Sequence, residues 1–231
     1  MKFTVRALEF FERDVRLRLP FRFGVVTLTE APQAFARAEI VLENGKSAEG
    51  AAAEMLVPKW FDKNPALSNE ENFEQLRSSL RTAREAYLSG GSNTAYGHSR
   101  PTVGLVENFG PALIDRALLD ALCRALGISF YEAVRTNVPG LEIGEFLQTL
   151  RPRTEIAARH TVGLLDPITG KTKREGLPET LEEVIERYGH RWFKLKVGGD
   201  LKADLERLSA IAAVLDRLPE YHTSLYGNEQ Y

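Results

Sequence analysis

Apolar and polar residues alternate along the first 60 positions of the chain. Phe3, Val5 and Ala7, then Val15, Leu17 and Leu19, take every second place, which is the period of half-buried antiparallel strands. A second hairpin is expected from Phe35 to Leu42 and from Ser47 to Glu54, with its turn at Glu43-Asn44-Gly45-Lys46. Asn-Gly supplies the positive φ angles that a tight hairpin needs. Between strands, Pro20-Phe21-Arg22-Phe23-Gly24-Val25 reads as a loop of exposed aromatic character, either a packing plug or a ligand cover. The period then changes. Ser68 and Glu71 form a capping box ahead of Phe73, Leu76, Leu80 and Tyr87, so a helix is predicted up to Gly90-Gly91. The region Pro101 to Leu126 reads as helical and apolar on most sides, which places it between layers, and Phe130 to Arg135 as a short helix.

From Thr154 the texture alternates. Glu155 to Leu164 reads as a strand, Glu179 to Tyr188 as a helix, Trp192 to Val197 as a strand, Leu201 to Leu218 as a helix and Tyr221 to Tyr226 as a strand. That is the pattern of a parallel α/β architecture. In the second of these strands Phe193, Leu195 and Val197 share one face, while Trp192, Lys194 and Lys196 share the other. Gly198-Gly199 then turns the chain, and Asp200 is a candidate N-cap for the helix that follows.

Two lysines at i and i+2 on a strand lie only ~7 Å apart, so each ammonium lowers the pKa of the other, and burial acts in the same direction. A lysine brought toward neutrality serves as a general base or as a Schiff-base nucleophile. In a (β/α) barrel such residues point into the interior near the carboxyl ends of the strands, where these enzymes do their chemistry. The plain alternative is an edge strand whose solvated lysines discourage pairing.

Composition narrows the field. With 231 residues and 43% hydrophobic content the chain can hold one large domain or two small ones. A formal net charge of -2 shows no global bias, so nucleic acid is not an expected partner. No apolar run long enough to span a membrane and no signal-peptide layout is present, so a cytoplasmic location is expected. The one cysteine, Cys123, sits among Ala117, Leu118, Ala121 and Leu122 and reads as a structural thiol.

Taken together, the antiparallel start, the helical middle and the motif Phe193-Lys194-Leu195-Lys196-Val197-Gly198 resemble the enolase superfamily. The resemblance is to the mandelate racemase and muconate lactonizing enzyme group, in its Lys-x-Lys branch. It extends over the whole chain, including the helix Ala112 to Gly127 and the ending Leu225-Tyr226-Gly227-Asn228-Glu229-Gln230-Tyr231. It implies an α/β protein with an α+β capping domain over residues 1–153. Residues 154–231 would begin a (β/α) barrel of TIM type, about three of eight strands, against ~250 residues for a complete one.

Such enzymes remove a proton beside a substrate carboxylate and use magnesium to hold the enediolate. By resemblance Lys196 is the base and Lys194 its electrostatic neighbour, and Arg22, Phe23, His160 and Asn228 are candidate substrate contacts. The family pattern Asp-x-Asn at the end of the third strand is here Tyr226-Gly227-Asn228, so Tyr226 stands where the first metal carboxylate belongs. The ligands expected from later strands are missing. Magnesium is thus expected for the full-length family but not on this chain, which is expected to be inactive as written. The expected partners are a small carboxylate substrate and a second copy, through homo-oligomerisation or an open barrel edge. A noncatalytic interaction protein is the alternative.

Overall fold

In the computed structural model, residues 1–23, 26–170 and 176–227 are described. The chain divides into two units, Met1–Val15 with Ala31–Pro152, and Arg16–Glu30 with Arg153–Tyr231.

The first unit is built on a sheet of order β3-β2-β1-β4, from β1 (Phe3–Phe23), β2 (Val26–Leu42), β3 (Ser47–Met55) and β4 (Ser92–Asn93). β2 and β3 pair antiparallel from Gln33 opposite Met55 to Val41 opposite Ser47, around the expected Asn-Gly turn. Helices α1 (Asn69–Leu88), α2 (Ala95–His98), α3 (Leu105–Leu126), α4 (Phe130–Arg135) and α5 (Gly144–Gln148) complete it. Ala34, Ala36, Ala38, Ile40 and Leu42 form the inward row of β2 and pack with Leu113, Ala117, Leu118 and Ala121 of α3 in one core. β3 and α3 approach so closely at Gly50 that a Cβ there would lie 2.1 Å from the Ala121 amide nitrogen.

Capping of α1 follows the sequence pattern: the Glu71 amide donates to Ser68 Oγ at 3.2 Å, and the Ser68 amide donates to the Glu71 carboxylate at 2.6 Å. Pro111 lies inside α3 and cannot donate to the Glu107 carbonyl. The Ser79 hydroxyl of α1 takes that place, donating to Glu107 at 2.8 Å while it accepts from the Gly110 amide at 2.9 Å.

One sequence expectation fails here. Pro20 to Phe23 do not form a loop but continue β1, whereas Gly24 and Val25 lie outside the described residues.

The second unit contains a parallel sheet of order β5-β6-β7, from β5 (Arg159–Val162), β6 (Trp192–Lys196) and β7 (His222–Tyr226), with helices α6 (Leu181–Tyr188) and α7 (Leu201–Leu215) in the connections. One face of the sheet is apolar: Val162, Phe193 and Leu195 pack with Leu181, Ile211, Val214 and Leu215. A capping box at Thr180 and Glu183 starts α6, and Asp200 caps α7 by accepting from the Ala203 amide at 3.0 Å. Residues 16–30 cluster with this unit, and Arg18 ties them to it. Its guanidinium donates to the Leu177 and Pro178 carbonyls at 3.0 and 3.1 Å and to the Glu179 carboxylate at 3.1 Å. No helix among the described residues is long and apolar enough to cross a membrane.

Candidate functional site

Parallel pairing sets Thr161, Lys194 and Ser224 side by side, and Lys196 beside Tyr226. Side chains at paired positions of a parallel sheet project to the same face, and successive residues alternate. Lys194, Lys196 and Tyr226 therefore share the face opposite Phe193 and Leu195, as the strand period implies. Lys196 is 4% exposed and Lys194 half-buried, whereas Tyr226 keeps 48% of its surface.

The three side chains meet. The Lys194 ammonium is 3.6 Å from the Tyr226 ring centre, and that of Lys196 is 5.0 Å from it. Phe21 of β1 adds a second wall, its ring centre 5.6 Å from Lys196 Nζ. Phe23 is buried with its ring 5.7 Å from that of Phe21. Burial pushes the Lys196 pKa down, and the neighbouring charge of Lys194 pushes it further. At a given pH its neutral, proton-accepting form is thereby more populated than that of an ordinary lysine.

The strand ends that carry this site are held by two carboxylates that sequence reasoning missed. Asp204, buried in the first turn of α7, accepts from the Gly198 amide at 2.8 and 3.0 Å and from the Gly199 amide at 2.9 Å. Asp166 does the same for β5, accepting from the Gly163 amide at 2.7 Å. Arg207 of α7 donates to the carbonyls of Gly163 and Asp166, which joins the two connections. The only advance signal for Asp204 was an acid one helical turn after the Gly198-Gly199-Asp200 corner.

Other candidates fall elsewhere. His160, a candidate substrate contact, pairs with Phe193 and so lies on the opposite face from the lysines. Its ring stacks on His190 at 5.5 Å, and burial lowers its pKa with His190 adding to the effect. Arg22 is exposed and, by strand alternation, points away from the side taken by Phe21 and Phe23. Asn228 lies outside the described residues. Among the described residues no three of His, Cys, Asp and Glu converge as metal ligands.

No family model and no curated protein matches the sequence. Solved structures do match. The dipeptide epimerase of Enterococcus faecalis V583, complexed with Mg and L-Leu-L-Tyr, aligns at 14% identity with a TM-score of 0.60, over 99% of this chain and 55% of its own. An enolase from Bradyrhizobium, complexed with magnesium and mandelic acid, aligns at 15% identity and 0.60, over 97% and 54%. Muconate lactonizing enzyme from Pseudomonas fluorescens, complexed with muconolactone, gives 15% and 0.54, over 99% and 54%. The chain has the fold of mandelate racemase and muconate lactonizing enzyme-type proteins. It spans about half the length of the structures it matches.

Proposed function

We propose that these 231 residues are the amino-terminal portion of a cytoplasmic racemase, epimerase or cycloisomerase of the enolase superfamily. Residues 1–153 would be its capping domain and residues 154–231 the start of its (β/α) barrel. The observation that carries this reading is the placement of Lys196 and Lys194 on one face of β6, at the carboxyl end of the strand, in a chain whose fold matches such enzymes. Lys196, with its pKa lowered by burial and by Lys194, takes the proton from the carbon beside a substrate carboxylate. Lys194, on the same face, attracts that carboxylate. Asp204 holds the turn after β6 and so fixes where Lys196 points.

Among the described residues none offers magnesium a fitting set of ligands. A neutral phenol is a poor ligand for a hard cation, and the ring of Tyr226 already faces two ammoniums. We therefore expect magnesium affinity no better than millimolar and no turnover by these residues alone. Hydrogen exchange at the α-carbon in deuterated water, followed by NMR over dipeptides, acid sugars and succinylbenzoate precursors, is the test. No exchange is expected from this chain, and exchange that disappears with Lys196→Ala would show it to be an active enzyme.

A second reading has its own support. β7 is an edge of the parallel sheet, and beside it Leu201, Leu205 and Leu225 are 67%, 56% and 62% exposed. An uncovered parallel edge with apolar flanks favours association with a second copy. Sedimentation at rising protein concentration tests it: a monomer throughout would exclude self-association.

A further inference from the structure

Between β3 and α1 the chain crosses residues 56–68 without helix or strand, and one residue there takes a backbone conformation that side chains disfavour. Lys59 has a φ of 60°, in the left-handed region. A glycine would adopt it freely. What lysine adds is an ammonium, and this one turns back into the loop. Half-buried, it donates to the Leu67 carbonyl and, at 2.9 Å, to the Asn64 carbonyl.

The rest of the loop closes around that charge. The Lys59 amide donates to Asn72 Oδ1 at 3.2 Å; Asn72, buried on α1, donates to Gln75 Oε1 at 3.0 Å, and Gln75 donates to the Asp62 carboxylate at 2.9 Å. The other Asp62 oxygen accepts from the Asn64 amide at 2.9 Å, and Asn64 Oδ1 accepts from the Ala66 amide at 3.0 Å. Gln75 and the Asn64 amide hold the Asp62 carboxyl below the usual carboxylate range, and the Lys59 charge adds to their effect. Phe61 is a second anchor, its ring edge-on to that of Phe109 at 5.1 Å. Trp60, between the two anchors, keeps 47% of its surface.

We infer that Lys59 is a positioning residue, whose ammonium is a built-in cation around which residues 59–67 fold and which fixes where Trp60 is presented. Loops that gather carbonyl and carboxylate oxygens around a bound metal ion are ordered in the same way. Here the cation is part of the chain, and the left-handed backbone at Lys59 aims it at the Asn64 and Leu67 carbonyls. This goes beyond the functional reading above and holds whether or not the chain is an enzyme.

Lys59→Gly separates the two contributions, because it relieves the backbone and removes the cation. Hydrogen exchange followed by NMR should show the Asn64, Ala66 and Leu67 amides exchanging at least about tenfold faster than in the parent, with those of α3 unchanged. n-Butylammonium, the lost side chain supplied in solution, should restore their protection saturably. Tetramethylammonium, a cation with no N–H to donate, should not. Lys59→Arg, which keeps the charge and its donors, should protect the loop better than Lys59→Met, which keeps only the apolar stem. With Trp192→Phe as background, Trp60 is the one remaining tryptophan. Its fluorescence anisotropy should fall with Lys59→Gly and recover with n-butylammonium. Unchanged or increased protection in folded Lys59→Gly would overturn the inference, since the backbone alone would then decide the loop. So would failure of n-butylammonium to rescue, equal rescue by tetramethylammonium, equal protection in Lys59→Met and Lys59→Arg, or an unchanged anisotropy.

Discussion

The Lys194 ammonium lies 3.6 Å from the centre of the Tyr226 ring, although the strand partner of Tyr226 is Lys196 and that of Lys194 is Ser224. The ring therefore reaches diagonally across the sheet, with the Lys196 ammonium 5.0 Å from its centre as well. Such a contact contributes about 0.5–1 kcal/mol when exposed and about 2 when desolvated. Tyr226 is half exposed, so Tyr226→Ala should cost about 1 kcal/mol in urea unfolding, while Tyr226→Phe, which keeps the ring, should cost much less. Equal losses for both variants would show that the ring face does not hold Lys194.

Lys196 makes stability depend on pH. Its folded pKa lies below its unfolded value, so between the two the unfolded chain binds more protons and stability rises with pH. Below the folded pKa the cost of burying the charge is fully present; above about 10.4, the unfolded value, it is gone. Lys196→Met should be more stable than the parent at pH 7, and this advantage should shrink as pH is raised through that window. Denaturant melts of both chains from pH 7 to 11 provide the check, and a constant difference would contradict it.

Asp204→Ala removes the acceptor for two amides at the turn after β6. Hydrogen bonds to a charged group contribute about 1.5–3 kcal/mol each, so a loss of about 2–4 kcal/mol is expected in chemical unfolding. Asp204→Asn keeps one acceptor oxygen and should lose less. If both variants are as stable as the parent, the charge and the bonds to Gly198 and Gly199 carry none of the turn.

Gly50→Ala tests the contact between β3 and α3. The new Cβ would lie 2.4 Å from the Ala117 carbonyl oxygen as well as against Ala121, and both are backbone atoms that cannot swing away. Overpacking of this kind costs about 1–3 kcal/mol or more. Thermal unfolding of the variant at an unchanged midpoint would show that the helix moves off freely.

What was legible in the sequence was local or periodic. Capping boxes at Ser68 and Thr180 depend on residues three apart, and the shared face of Lys194 and Lys196 depends only on the alternation of a strand. What depended on partners was not. Pro20 to Phe23 look like a turn by composition, yet they continue β1, and their neighbour Arg18 is fixed by carbonyls about 160 residues away in sequence. The side taken by His160, a candidate substrate contact, is set by register with β6, where it pairs with Phe193. Asp204 was hidden for a related reason: an acid in a first helical turn usually faces solvent, and here the corner folds back over it. The fold of the second unit was thus readable from its alternation, whereas the geometry that fixes its lysines depends on contacts between residues far apart in the chain.

Titration of Lys196 itself decides whether burial and Lys194 act on its ammonium. With the lysines dimethylated using a carbon-13 label and the Lys196 signal assigned by its absence in Lys196→Arg, NMR follows its chemical shift against pH. A midpoint below the ordinary 10.5 is expected, with an upward move when Lys194→Met removes the neighbouring charge. A midpoint at the ordinary lysine value, unaffected by Lys194→Met, would contradict it.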